Sequence, residues 1–232
     1  MICLKPFVNI RFVVVAAGIF AASITSVFAQ KNSGTFALQQ GDLLFQDLDC
    51  GPLCDAIEKV TAGHNGSTFS HVGIVVVGSA GKVMVLEAIG DSVQQTPIEK
   101  FLARSKDTAG KPKVAVGRLT KEYQHVIPAA IKTAQMLRAK PYDNVFLIDN
   151  DAYYCSELVY LAFKDKNNNS LFELNPMTYI DPETKQTFTP WQTYFDNLHT
   201  PVPEGLPGIN PGGISRSTAL KMYYPFGQPD KR

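Results

Sequence analysis

The stretch from Phe69 to Ile89 constrains this chain more than any other. Phe69 to Val77 interrupts its apolar residues only with Ser70, His71 and Gly73, and it closes on Ile74-Val75-Val76-Val77. Four consecutive β-branched residues read as a strand buried on both faces. Gly78-Ser79-Ala80-Gly81 then supplies a turn, and Lys82 to Ile89 reads as the return strand. The rest of the chain alternates short strands and helices around this hairpin. Gly41-Asp42 opens a short strand through Gln46. Helices are predicted over 52–62, 98–105, 128–138 and 155–164, and a strand over 114–119. Residues 30–40 form a polar lead. Residues 166–232 are rich in Asn, Pro and Gly, with one helical turn expected over 190–198. The class is α+β: a small antiparallel sheet with helices packed against it, and a long irregular C-terminal segment. That segment is too long for an ordinary loop, so it wraps the domain or builds part of a site.

Composition narrows the function. Of 232 residues, 45% are hydrophobic and 19% charged, which is globular and not disordered. The net charge is +1 and no Lys/Arg run exceeds two residues, so no basic face for nucleic acid is expected. Residues 1–29 carry Lys5 and Arg11, an apolar run from Phe12 to Ile24, and the small-residue ending Val27-Phe28-Ala29. These are the parts of a signal peptide, with cleavage expected after Ala29 and residues 30–232 left as the exported, periplasmic or secreted domain. The run is short for a membrane span, so no stable membrane anchor is expected after cleavage.

Three of the four cysteines follow Ala29, an odd number for an oxidising compartment. Cys50 and Cys54 flank Gly51-Pro52-Leu53, at the start of the helix over 52–62. The spacing can bring the two thiols together, although strict helical geometry suits a disulfide poorly. The alternatives are two small buried residues, or metal ligands that would need further partners such as His64. Cys155 stands alone. Leu158, Val159, Ala162 and Phe163 share its helix face, whereas Glu157, Lys164 and Asp165 lie off it. Asn150 and Asp151, just upstream, are candidate caps. A thiol in the first turn of a helix meets the positive end of the dipole and unpaired N–H groups, and both favour thiolate. The bland alternative is a small hydrophobe under the sheet.

A cysteine nucleophile needs a base, and the base needs an orienter. Of His64, His71, His125 and His199, only His71 opens a buried strand. On the return strand Glu87 is the single acid in an apolar run, where a carboxylate is costly without a partner. With His71 and Glu87 directly opposite, the hairpin would centre on Ser79 with a loop of three or five residues. Tyr142, Tyr153 and Tyr154 are candidate walls of a site, with Trp191 and Tyr194 as cover. The Tyr154 hydroxyl is a candidate second oxyanion donor.

Gly41-Asp42, Ser70-His71-Val72-Gly73-Ile74, Val85-Leu86-Glu87-Ala88, Pro141-Tyr142-Asp143 and Tyr153-Tyr154-Cys155-Ser156-Glu157-Leu158-Val159, in this order, resemble the YiiX/YebB-like hydrolases. These form the circularly permuted branch of the NlpC-type, papain-like cysteine hydrolases. The resemblance spans about residues 41–165, with a weaker echo at Pro207-Gly208-Ile209-Asn210-Pro211-Gly212. It implies a permuted papain-like fold with Cys155 as nucleophile, His71 as base and Glu87 as orienter. Unpermuted relatives carry His, Asn or Gln as orienter; Glu87 adds a negative charge. The expected activity is an exported thiol hydrolase that cleaves amide bonds through a thioester, on cell-wall peptides or related amide-linked substrates. Tyr154 and Tyr142 would bind substrate. No phosphate loop, metal motif or dinucleotide fingerprint is present, so no cofactor is expected. Two other readings remain open. One is a thiol esterase or acyltransferase acting on lipids, for which lecithin–retinol-type permuted relatives are a precedent. The other is a non-enzymatic exported binding protein with a structural Cys155.

Overall fold

Strand β1 (Leu43–Gln46) lies at the middle of a six-stranded sheet. In the computed structural model, residues 36–227 and 229–231 are described, and the expected leader 1–29 lies outside them. The remaining strands are β2 (His71–Val77), β3 (Val83–Ile89), β4 (Ser92–Pro97), β5 (Val114–Leu119) and, after two short strands named below, β8 (Leu220–Tyr223). Their spatial order is β4-β3-β2-β1-β5-β8, and every pairing is antiparallel. Alternation along the strands sorts two cores. Leu43, Phe45, Val72, Ile74, Leu86 and Ala115 face one cluster, whereas Leu44, Val75, Val85, Val114 and Val116 face another.

The first cluster is covered by helix α3 (Ile127–Met136), through Ala130, Ile131 and Ala134, and by helix α4 (Cys155–Ala162), through Leu158, Val159 and Ala162. The second is closed by Phe101 of helix α2 (Ile98–Ala103). Burial of β2 on both faces, as its β-branched run predicts, follows from this cover. Helix α1 (Pro52–Val60) begins with Pro52, whose fixed φ and missing N–H suit a first turn. It buries Ala56 against a third cluster made of Tyr179, Phe188, Trp191 and Phe195.

Those aromatics come from the C-terminal segment, which is more regular than its composition indicates. It contains the two-residue strands β6 (Asn175–Pro176) and β7 (Pro207–Gly208), paired with each other, helix α5 (Thr189–Asn197) and helix α6 (Pro211–Ser215). It then returns as β8 along β5. Beyond β8, Asp230 reaches the far end of β1. Its backbone N–H donates to Asp47 (2.9 Å), and its carboxylate, with Asp47 and Asp49, surrounds the buried Lys113 ammonium at 3.3, 2.9 and 2.6 Å. Strand β4 was missing from the sequence reading because Ser92-Val-Gln-Gln-Thr-Pro97 is a polar edge strand without an apolar run.

Candidate active site

Helix α4 carries Cys155 as its first residue, with Tyr154 as the N-cap in extended conformation. The cap does not come from Asn150 or Asp151 as expected; the Asn150 side chain accepts instead from the Ala152 N–H (3.1 Å). Nor does Glu157 lie off the buried face. It is 1% exposed. From the third position of the helix its carboxylate lies near the backbone N–H groups of Tyr154 and Asp149, which favour its charged form. One carboxylate oxygen of Glu157 lacks a hydrogen-bond partner. Burial, reinforced by the nearby Asp143, pushes this group up to about 8.

The first residue of β2 meets Cys155. His71 and Cys155 are 4% and 7% exposed, and the backbone N–H of Val72 also reaches the sulfur. The His71 Nε2 contacts Glu87 Oε2 at 2.7 Å, which leaves Nδ1 as the ring nitrogen for the thiol. Burial opposes charge on both partners, but their hydrogen bond and mutual attraction prevail. The imidazole is pushed up to about 9, with Glu87 contributing after Cys155, and the thiol is brought below its ordinary value.

The hairpin holds His71 and Glu87 on one face, but not directly opposite. Ile74 pairs with Leu86 and Val77 with Val83, so the turn centres on Ala80, in left-handed conformation, and not on Ser79. Continued along the strands, that register sets Gly73 across from Glu87 and makes His71 its diagonal neighbour. A Cβ on Gly73 would overlap Val85 and lie 3.3 Å from Phe101 and 3.4 Å from Glu87. Glycine therefore gives the Val85 side chain and the Phe101 ring their space.

Arg104, which the sequence reading did not single out, completes the row. Its guanidinium grips Glu87 with two nitrogens, at 2.7 and 2.5 Å. Although burial opposes ionisation of Glu87, Arg104 first and His71 second hold it down to about 2. The added negative charge of a carboxylate orienter is thus balanced from behind. Arg104 stands just after α2, seven residues past the end of β4, and only the hidden strand β4 brings it there.

Beside Cys155 opens a cavity of about 250 Å³. Tyr142, Tyr154 and Trp191 line it as expected, together with Phe146 and Tyr179, which the sequence reading did not name. Tyr153 and Tyr194 are not on its wall. The Tyr154 hydroxyl accepts from the Ile209 N–H (3.1 Å), so it braces the C-terminal segment. Phe146 sits in left-handed conformation (φ 56°), uncommon for a bulky residue, and turns its ring among Tyr142, Tyr154, Trp191 and Phe195. No local pattern announces that. Away from the site, Cys50 and Cys54 are joined in a disulfide with Cα atoms 5.4 Å apart, and Cys155 is free.

A thiol at a helix start, an imidazole opening β2 and a carboxylate on β3 form an arrangement of papain-like type in permuted chain order. The chain belongs to the permuted papain-like amidase family YaeF/YiiX, also called C92, whose model matches residues 37–224. It is 30% identical to the uncharacterized protein YiiX of Escherichia coli K12 over 148 residues, 64% of this chain and 68% of that one. It also resembles the crystal structure of the metalloprotein YiiX from Escherichia coli O157:H7. There the TM-score is 0.65 at 25% identity, over 84% of this chain and all of the other.

Proposed function

We propose that this protein is an exported cysteine amidase that cleaves cell-wall peptides or related amide-linked substrates. The observation that carries the reading is the row of buried Cys155, His71 and Glu87 backed by the part-exposed Arg104, in which each group is oriented by the next. The Cys155 thiolate attacks the amide carbonyl. N–H groups in the first turn of α4 face the developing oxyanion. The His71 imidazolium gives its proton to the departing amine, leaving a thioester on Cys155. Water then attacks, His71 takes its proton, and the acid is released with the thiolate restored. Glu87 keeps the ring turned toward sulfur, with Arg104 fixing Glu87. Export rests on the Phe12–Ile24 apolar run and the Val27-Phe28-Ala29 ending. Among the described residues no helix is long and apolar enough to cross a membrane.

The E. coli relative is described as a metalloprotein. Here the donor set does not fit a metal: among the described residues no three His, Cys, Asp or Glu side chains converge as ligands, and both His71 nitrogens face protein partners. No step is routed through one.

The test is incubation of residues 30–232 with cell-wall peptide fragments and, separately, acyl esters, with products identified by mass. The expected result is amide cleavage and an acyl adduct on Cys155, both lost in Cys155→Ala. Cleavage of esters alone would favour the lipid-directed reading, and equal turnover by Cys155→Ala would refute the nucleophile.

A further inference from the structure

Resting on the reading of this cavity as the substrate site, we infer that Arg216 is its specificity residue and that the substrate amide carries a carboxylate. Among the described residues, Arg216 is the one cationic side chain on the wall of the cavity beside Cys155; apart from Cys155 itself the rest of that wall is apolar, aromatic or uncharged polar. Among the described residues no carboxylate forms an ion pair with its guanidinium. Arg104 and Arg118 do have such work: Arg104 holds Glu87, and Arg118 holds Asp42 at 2.8 and 2.7 Å. Arg138 also has no ion pair among the described residues, but it lies exposed just after α3 and not on the wall of this cavity.

The backbone beneath Arg216 is rigid. Asn210 caps α6 through the Gly213 N–H (2.7 Å), and the Arg216 N–H closes the helix on the Gly213 carbonyl (3.2 Å). Ser215 is 1% exposed, donates to the Gly212 carbonyl (2.7 Å) and accepts from the His64 N–H (2.9 Å). Gly212 lies so close to Thr61 that a Cβ would come within 2.7 Å of its side chain. The fixed base holds the root of the Arg216 side chain at the mouth of the cavity, and its planar fork matches a carboxylate with two parallel hydrogen bonds.

Its position also matters. Arg216, Asn175, Ile209 and Gly213 are shared by the cavity beside Cys155 and by a second, adjoining depression that Glu173, Ser217 and Thr218 border. Arg216 therefore stands where an aromatic chamber gives way to a polar groove. The matching substrate is amphiphilic: an apolar group against Tyr142, Phe146, Tyr179 and Trp191, the amide at Cys155, and a carboxylate on Arg216. Glu173 in the adjoining groove disfavours a second negative charge further out.

Binding to the Cys155→Ala protein, by calorimetry at low salt, tests this without requiring turnover. The probes are the N-phenylacetyl derivatives of glycine, β-alanine and 4-aminobutyrate, each beside its primary carboxamide, so that the spacing from amide to carboxylate is scanned. At the best spacing the acid should bind at least ten-fold more tightly than its carboxamide. The gap should shrink as salt rises and close in Cys155→Ala/Arg216→Gln, and Arg216→Lys should keep part of it. An acid preference that persists in the Arg216→Gln protein, or acids that bind no better than carboxamides at every spacing, overturns the assignment. Unfolding curves for both Arg216 variants should overlay the parent, since the side chain is exposed. Failure of Cys155 to form an acyl adduct in the turnover experiment would instead count against the amidase reading, whatever the binding series shows.

Discussion

At the scale of single residues, the departure from the unpermuted pattern is explained by a neighbour. In the proposed site Glu87, 0% exposed, stands where the unpermuted relatives are expected to have His, Asn or Gln, and Arg104 is set behind it. A bidentate Arg–carboxylate pair presents His71 with a fixed acceptor whose charge is largely compensated. Removing the guanidinium withdraws positive charge from both Glu87 and the thiolate–imidazolium pair. Glu87 and Cys155 then take up protons at higher pH. Arg104→Met should therefore move the acid limb of the pH–activity profile upward by about one unit, with Arg104→Lys partway between. An acid limb that stays in place would show that Arg104 only fills space. Cys155, His71 and Glu87 were legible in the sequence because each is anomalous where it stands: a lone thiol opening a helix, an imidazole opening a buried strand, and an acid inside an apolar run. Arg104 and Arg216 were not, because an arginine near a helix end looks like any solvated charge until the fold gives it a partner or a cavity.

Among the elements, the β2–β3 hairpin was readable as a pair of strands, and its register was not. Direct opposition of residues 71 and 87 differs by two from the observed register, which preserves the face and turns opposition into a diagonal. The five-residue turn and its left-handed Ala80 decide that difference, and neither has a strong signature. The register makes Gly73 a sensitive position. Gly73→Ala should cost about 1–3 kcal/mol by overpacking against Val85 and Phe101. Because the crowded Phe101 ring lies against the His71 imidazole, with centroids 5.9 Å apart, activity should fall further than stability; urea unfolding and turnover on the same sample separate the two. A variant of unchanged stability and activity would show that Val85 yields without strain. The pair β6–β7 escaped the sequence reading because strands of two residues are too short for periodicity to register. Strand β8, Leu220-Lys221-Met222-Tyr223, escaped it because it lies in a Pro- and Gly-rich segment without the apolar run that marks β1.

For the molecule as a whole, α+β class and antiparallel pairing followed from the pattern of runs and turns. The order of the strands did not, because β8 reaches β5 from the far end of the chain, a long-range pairing that no local signal announces. Fold stability also carries buried and half-buried carboxylates of opposite tendency. Glu87 is ionised more readily in the fold than in the open chain, so its stabilisation is present above about 4.5 and is lost as pH falls toward 2. Glu157, raised to about 8, and Glu58, raised to about 7 by burial and then Asp47, act the other way. The fold keeps their protons where the open chain releases them, so each costs stability as pH climbs from 4.5 toward 7 or 8. Glu157→Gln keeps an acceptor near the Tyr154 N–H and has no charge to bury. Its melting temperature should accordingly fall less than that of the unaltered protein between pH 5 and pH 8. Parallel decline of the two would mean that Glu157 is ionised in the fold at neutral pH.

The central claim is that Cys155 and His71 form a thiolate–imidazolium pair, and the most direct measurement is the pH dependence of Cys155 alkylation by iodoacetamide. The reactive form is the thiolate, so the rate traces its titration. The unaltered protein should show a midpoint well below the ordinary thiol value of about 8.5, and His71→Ala should move that midpoint upward, leaving only the pull of the helix start. A midpoint near the ordinary value that His71→Ala does not change would contradict the pairing, and with it the amidase mechanism.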